Sequence, residues 1–176
     1  MADMHGDEEF TGKYEKEGRI GSLLVDSFYS SVAALLAPRL GGARTLLEVG
    51  CGAGYSTERL APLAPAGCEF LACDVGSSLV SAAKVRNPGV SLSRQSVYSL
   101  ALPDKSVDVV VMLEVMEHLD EPARALAELD RVAKRHVIVS TPREPIWRAL
   151  NFMRGKYMRD LGNTPGHLQH WSSRGL

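Results

Sequence analysis

Apolar positions along this chain follow two patterns, and the patterns alternate. From Ser22 they recur at helical spacing: Leu24, Phe28, Val32 and Leu35 step by four, four and three, which predicts one face of a helix. Pro38 stops it and Gly41-Gly42 makes the turn. Short, nearly continuous apolar runs follow at residues 45–49, 70–73, 107–113 and 136–140, with a weaker run at 90–92. Continuous rather than alternating apolar character marks strands buried on both faces, as in a parallel sheet covered by helices. Helical stretches separate the runs. One spans Ser77 to Arg86 and is ended by Asn87-Pro88-Gly89. Another takes Asp120 as its N-cap, has Pro122 in its first turn, and carries Ala123, Leu126, Leu129 and Ala133 on one side. Strand–helix–strand alternation at this spacing predicts a doubly wound α/β domain over residues 22–142. Residues 1–21 read as a lead-in and residues 143–176 as a distinct segment.

Composition narrows the function classes. The chain has 176 residues, 45% hydrophobic and 23% charged, which excludes disorder throughout and fits one domain. Its 20 Lys and Arg balance 21 Asp and Glu, so a uniformly basic nucleic-acid binder is excluded. The charge is uneven. From residue 142 onward six basic residues face two acidic ones, a net +4, which leaves −5 on the rest. Cys51, Cys68 and Cys73 form no Cys-x-x-Cys pair, so neither a disulfide framework nor a zinc ribbon is expected, and a reducing, cytoplasmic setting is the simplest reading. Cys68 and Cys73 lie an odd number apart along a strand and point to opposite faces. The acidic, polar start of the chain is no secretory signal, and no apolar run approaches the ~18 residues of a membrane helix.

The most informative string is Leu46-Leu47-Glu48-Val49-Gly50-Cys51-Gly52-Ala53-Gly54-Tyr55-Ser56. A buried strand runs into three alternate glycines and then a helix-competent stretch. Glycine reaches backbone shapes other residues resist and lets a ligand approach the main chain. In an α/β sheet this is where a nucleotide-like ligand binds. The plainer alternative is a tight strand–helix turn. Glu48 ends a buried strand, where a carboxylate needs a partner. Asp74 ends the next strand, 24 residues after Gly50, where an acid can accept hydrogen bonds from ribose hydroxyls.

Together these strings resemble the class I S-adenosylmethionine-dependent methyltransferases, in their small-molecule (type 11) branch. Glu48-x-Gly50-x-Gly52-x-Gly54 is similar to the first motif of that family and Leu71-Ala72-Cys73-Asp74 to the second. Leu102-Pro103-Asp104-x-x-x-Asp108 and Glu114-Val115-Met116-Glu117-His118 are similar to later ones. The resemblance covers residues 45–142. The nicotinamide fingerprint Gly-x-Gly-x-x-Gly differs, because here the third glycine comes one residue early.

The resemblance implies a Rossmann-like, doubly wound, mostly parallel sheet flanked by helices. It implies S-adenosylmethionine as cofactor, with S-adenosylhomocysteine as product. Gly50, Cys51, Gly52 and Gly54 would hold the methionine part, with Glu48 organising its ammonium. Asp74 would bind the ribose and Val75 would pack on the adenine. Ser96 and Val97 would lie at the adenine edge, where many relatives place Asp instead of Ser96. Leu113 and Glu114 would close the site beneath the sulfonium. His118 is the candidate catalytic base, its pKa lying near neutrality; alternatively it caps the strand end and orients the next helix. Some relatives hold a divalent metal with such a Glu-x-x-Glu-His cluster and a downstream histidine. Glu114, Glu117, His118, His167 and His170 supply suitable ligands, but no metal is assigned.

Ile146, Leu150, Met153 and Tyr157 trace an apolar stripe flanked by Arg148, Arg154 and Arg159. That predicts a basic amphipathic helix, read as core packing with some lid function over the substrate; contact with a membrane surface is the other functional reading. The last two strands of the class I sheet are not found. Either the chain is truncated or a partner covers the edge. The expected activity is methyl transfer to a small-molecule acceptor, with O-, N- and C-methylation all open. The alternatives are a catalytically silent domain that keeps the fold, and a nucleic-acid methyltransferase. The last lacks the Asn/Asp-Pro-Pro-aromatic string of amino-methylating DNA enzymes. Oligomeric state is left open.

Overall fold

A computed structural model of the chain describes residues 19–142, with side chains from residue 22. The elements in order are α1 (Arg19–Leu36), β1 (Thr45–Val49), α2 (Tyr55–Leu60), β2 (Glu69–Asp74), α3 (Ser77–Arg86), β3 (Ser91–Arg94), β4 (Val107–Leu113), α4 (Pro122–Val132) and β5 (Ala133–Ser140). The sheet order is β3-β2-β1-β4-β5 and every pairing is parallel. This is the Rossmann-like, doubly wound sheet, whose order reverses between β1 and β4.

The alternation of side chains sorts the two faces. Leu46, Phe70, Val109, Val111 and Leu113 meet Val32 and Leu36 of α1 and Leu60 of α2, while Ala72 meets Ala83 of α3. Leu47, Val49, Cys73, Val110 and Met112 meet Leu129 and Val132 of α4 on the opposite face. All seven residues of β4 are buried, as its unbroken apolar run requires. At the opposite end of the sheet from the glycine loop, Asp108 joins β4 to β1. Its Oδ2 accepts the Arg44 amide at 2.7 Å and the Thr45 amide at 3.2 Å. Those bonds, the Arg44 amide first, hold its carboxyl below the usual range.

Several expectations need correction. The helical stripe Leu24–Phe28–Val32–Leu35 is half right: Val32 is buried, Leu24 and Leu35 are exposed, and burial continues on Leu36 and, past the end of α1, on Leu40. The same arc also seats Phe28 and Tyr29 partly. The helix also begins at Arg19, before Ser22. Asp120 does not cap α4. Glu121 occupies that position and makes no side-chain cap bond; its carboxylate instead accepts from Arg124. The buried stripe of α4 is Ala125, Leu129 and Val132, with Ala123 and Leu126 outward. Ala133 is buried, but as the first residue of β5, which starts three residues before the apolar run. Cys68 precedes β2 instead of lying within it. The expected helix around residues 146–157 and the question of further strands lie outside the described residues. No helix among the described residues is long and apolar enough to cross a membrane.

Candidate functional site

The carboxyl ends of β1, β2 and β4 converge where the strand order reverses. Gly50, Gly52 and Gly54 all have positive φ, at 79, 51 and 83°. The amides of Gly50 and Cys51 both donate to the Cys73 carbonyl, at 2.8 and 3.0 Å. Asp74 completes the junction: its Oδ2 accepts the Gly52 amide and its Oδ1 the Gly76 amide, each at 2.9 Å. A side chain is excluded at both ends of the loop. A Cβ on Gly50 would overlap Val115 Cγ2, and one on Gly54 would lie 2.5 Å from Asn87 Nδ2 and 2.9 Å from Ala83 Cα.

Glu48 lies beneath the loop, 1% exposed, and its Oε2 accepts from Thr57 Oγ1 at 2.6 Å. Burial raises its carboxyl above the ordinary range, against the lowering effect of hydrogen bonds from Ser56 and Thr57. Glu48 therefore ties β1 to the first turns of α2 and supports the loop from below. Burial, reinforced by Glu48 and Asp74, also raises the Cys51 thiol, and burial pushes Cys73 up to about 12. Neither sulfur is a ready nucleophile.

Two residues of this assembly were not picked out from sequence as parts of the site. Buried Asn87 donates from Nδ2 to the Gly54 carbonyl at 2.9 Å and to Ala83 at 3.2 Å. Arg86 donates to the Ala53 carbonyl at 2.6 Å and stacks over Tyr55, its guanidinium carbon 3.6 Å from the ring centroid. The end of α3 thus holds two successive carbonyls of the loop. In the sequence Asn87 reads only as a helix stop; its polar side chain just past a buried helix face is the signal that it needs a partner.

On the far rim Val75 follows Asp74 and is 64% exposed. The Gln95 amide donates to the Asp74 carbonyl at 3.0 Å, which brings residues 95–97 beside it. Ser96 Oγ accepts the Tyr98 amide at 3.3 Å, and Val97 packs partly against the core. Leu113 is buried at the end of β4. Glu114 follows with a φ of +55°, and its carboxylate accepts from Ser140 Oγ at 2.8 Å. His118 does not end a strand; it ends a 3₁₀ turn, Met116–His118, with Nε2 3.9 Å from buried Glu117 Oε1. The glycine loop, Asp74 and Val75 thus lie on one side of the point where the strand order reverses and the segment after Leu113 on the other, with Val115 packed against Gly50. No three His, Cys, Asp or Glu side chains gather as a metal-holding set among the described residues. His167 and His170 lie outside them. A cavity of about 430 Å³ under the segment after β3 is lined by Leu47, Leu71, Leu102, Ser93 and Gln95 and does not include the glycine loop.

Comparisons with known proteins agree with this geometry. The model of the methyltransferase domain family matches residues 47–140. A protein of Mycobacterium tuberculosis named a "probable S-adenosylmethionine-dependent methyltransferase" is 40% identical over 109 residues, covering 61% of this chain and 38% of the relative. The ubiquinone biosynthesis O-methyltransferase of Methylococcus capsulatus is 34% identical over 96 residues, covering 52% of this chain and 39% of the relative. Among solved structures, an S-adenosylmethionine-dependent methyltransferase from Aquifex aeolicus is 28% identical with a TM-score of 0.53, covering 57% of each chain. The chain spans about two fifths of the length of the two curated relatives. With its fold, its glycine loop and these matches, the chain belongs to the methyltransferase domain family, the class I methyltransferases whose cofactor is S-adenosylmethionine.

Proposed function

We propose that this chain transfers a methyl group from S-adenosylmethionine to a small-molecule acceptor. The observation that carries the reading is the junction of Asp74 with Gly52 at the carboxyl end of the sheet. The residues present fit the cofactor. Gly50 and Gly54 let the loop pack closely on Val115, Asn87 and Ala83, which fixes the course of its backbone between β1 and α2. Asp74 retains lone pairs beyond its two amide bonds, enough to accept from ribose hydroxyls. Val75 offers apolar surface beside it for an adenine ring. Ser96 and Val97 border the same ring, and Ser96 supplies a hydroxyl where a carboxylate would accept more strongly.

When bound, S-adenosylmethionine supplies a methyl already activated by a sulfonium. The chain's residues then need only to align, exclude water and take a proton. Residues 50–54, including Cys51, cradle the methionine end. Glu48 orders that cradle through Thr57, so its action on the ammonium is indirect. Leu113 and Glu114 close the floor. His118 is the candidate base, 35% exposed and backed by Glu117. The acceptor class is a hydroxylated ring of the quinol type, favoured by relatives named as ubiquinone and demethylmenaquinone methyltransferases. Buried, free Cys51 and Cys73 fit a cytoplasmic setting.

The test is incubation with methyl-labelled S-adenosylmethionine and a panel of catechols and quinols. Label should enter a phenolic oxygen or a ring carbon of the acceptor, and His118→Gln should lower kcat at least tenfold while leaving cofactor affinity within about twofold. Equal kcat in that variant would remove His118 from the chemistry. Absence of transfer to every acceptor would overturn the acceptor class.

A further inference from the structure

We propose that Ser140 is a positioning residue for this site: it clamps Glu114 in the left-handed turn that lays Val115 on Gly50. The proposal rests on the cofactor reading above. Ser140 ends β5 and pairs in register with Leu113, so its hydroxyl reaches the next residue of β4. Glu114 donates its amide to the Ser140 carbonyl at 3.2 Å, and that amide also lies 3.2 Å from Ser140 Oγ. The hydroxyl donates its own proton to Glu114 Oε1 at 2.8 Å. One residue thus holds both the backbone and the side chain of Glu114.

That hold has something to resist. Glu114 has φ +55°, a region that a residue with a side chain enters against a conformational penalty. Such strain persists where the surroundings over-determine it. Lys105 is the other non-glycine residue of positive φ among the described residues, and it lies in an exposed turn away from the site. The consequence of the Glu114 turn appears at the next residue. Val115 Cγ2 occupies the space that a Cβ on Gly50 would need. Gly50 opens the glycine loop. A relaxation of Glu114 therefore moves Val115 away from the loop and loosens the cofactor cradle from across the point where the strand order reverses.

The test compares Ser140→Ala, which loses the hydroxyl, with Ser140→Thr, which keeps it. In S140A the Kd for S-adenosylhomocysteine should rise at least about tenfold, the value of one hydrogen bond to a charged partner. S140T should stay within about twofold of wild type. In the ligand-free chain, hydrogen exchange at the Glu114 amide should be about tenfold faster in S140A. In a Glu114→Gly background, where the turn is unstrained and the carboxylate is gone, S140A should change Kd less than about twofold. S140A matching wild type in both affinity and exchange overturns the proposal. So does an S140A effect that persists undiminished in the E114G background. A wild-type chain that binds no S-adenosylhomocysteine, while S140A still speeds Glu114 exchange, overturns the cofactor reading and supports the clamp.

Discussion

Asp74 Oδ2 accepts the amide hydrogen of Gly52 at 2.9 Å, so the carboxylate that ends β2 also shapes the loop that follows β1. Removing it takes away the carboxylate proposed to accept from the ribose, and the partner of one loop amide. Such bonds contribute about 1.5–3 kcal/mol each. Asp74→Ala should therefore weaken S-adenosylhomocysteine binding at least tenfold, with Asp74→Asn intermediate. The fold should persist in both, read by circular dichroism. Unchanged affinity in Asp74→Ala would remove the ribose assignment.

Gly54 and Gly42 test the loop by contrast. Both have positive φ, 83 and 69°, so alanine at either meets a backbone penalty of about 1–2 kcal/mol. At Gly42 nothing lies within 4 Å of the added Cβ, whereas at Gly54 it meets Asn87 and the Ala83 backbone. Gly54→Ala should cost at least about 2 kcal/mol more than Gly42→Ala, the cost of overpacking. Urea melts of the two variants measure the difference. Equal costs would mean that α3 does not grip the loop.

Glu48 gives a pH signature. Its folded pKa lies above its ordinary value of 4.5 because burial disfavours the charge. The folded state therefore holds that proton more tightly than the unfolded chain does. The associated stability is fully present below pH 4.5 and is lost as pH rises through the folded pKa. Glu48→Gln cannot ionise. Its stability relative to wild type should grow as pH rises from 4.5 towards neutrality, while its cofactor affinity falls. Denaturant melts at several pH values read the first effect. Parallel pH profiles for the two proteins would contradict the buried carboxyl.

Glu128 acts in the opposite sense. Arg131 holds its carboxyl down at about 2, helped by the Leu100 amide, which donates to Oε1 at 2.7 Å. The stability it contributes is present above its ordinary 4.5 and lost as pH falls towards 2. Arg131 also bonds the Leu100 and Leu102 carbonyls, so this group fastens the segment after β3 to α4. Glu128→Gln should flatten the acid limb of the stability curve between those values. An acid limb as steep as that of wild type would assign the loss to other carboxylates.

What was legible in the sequence was the sheet. Residues 45–49 and 107–113 are nearly continuously apolar because both faces of the sheet are covered, and that signal is local. Helix faces were less legible. Leu24 and Leu35 satisfy a helical period as well as Val32 and Leu36 do, and only the direction of the sheet beneath α1 decides between them. Asp74 was legible because strand end and acid coincide. Asn87 and Ser140 were not, because their partners lie 33 and 26 residues away, and polar side chains at such distances carry no period.

The loop at residues 50–54 and Asp74 are proposed as a site for the methyl donor and not for a dinucleotide. Calorimetric titration of the chain with S-adenosylhomocysteine, with NAD as the control ligand, tests it most directly. Saturable binding of S-adenosylhomocysteine at micromolar concentration is expected, and none of NAD. Binding of NAD in its place, or of neither, would contradict that assignment.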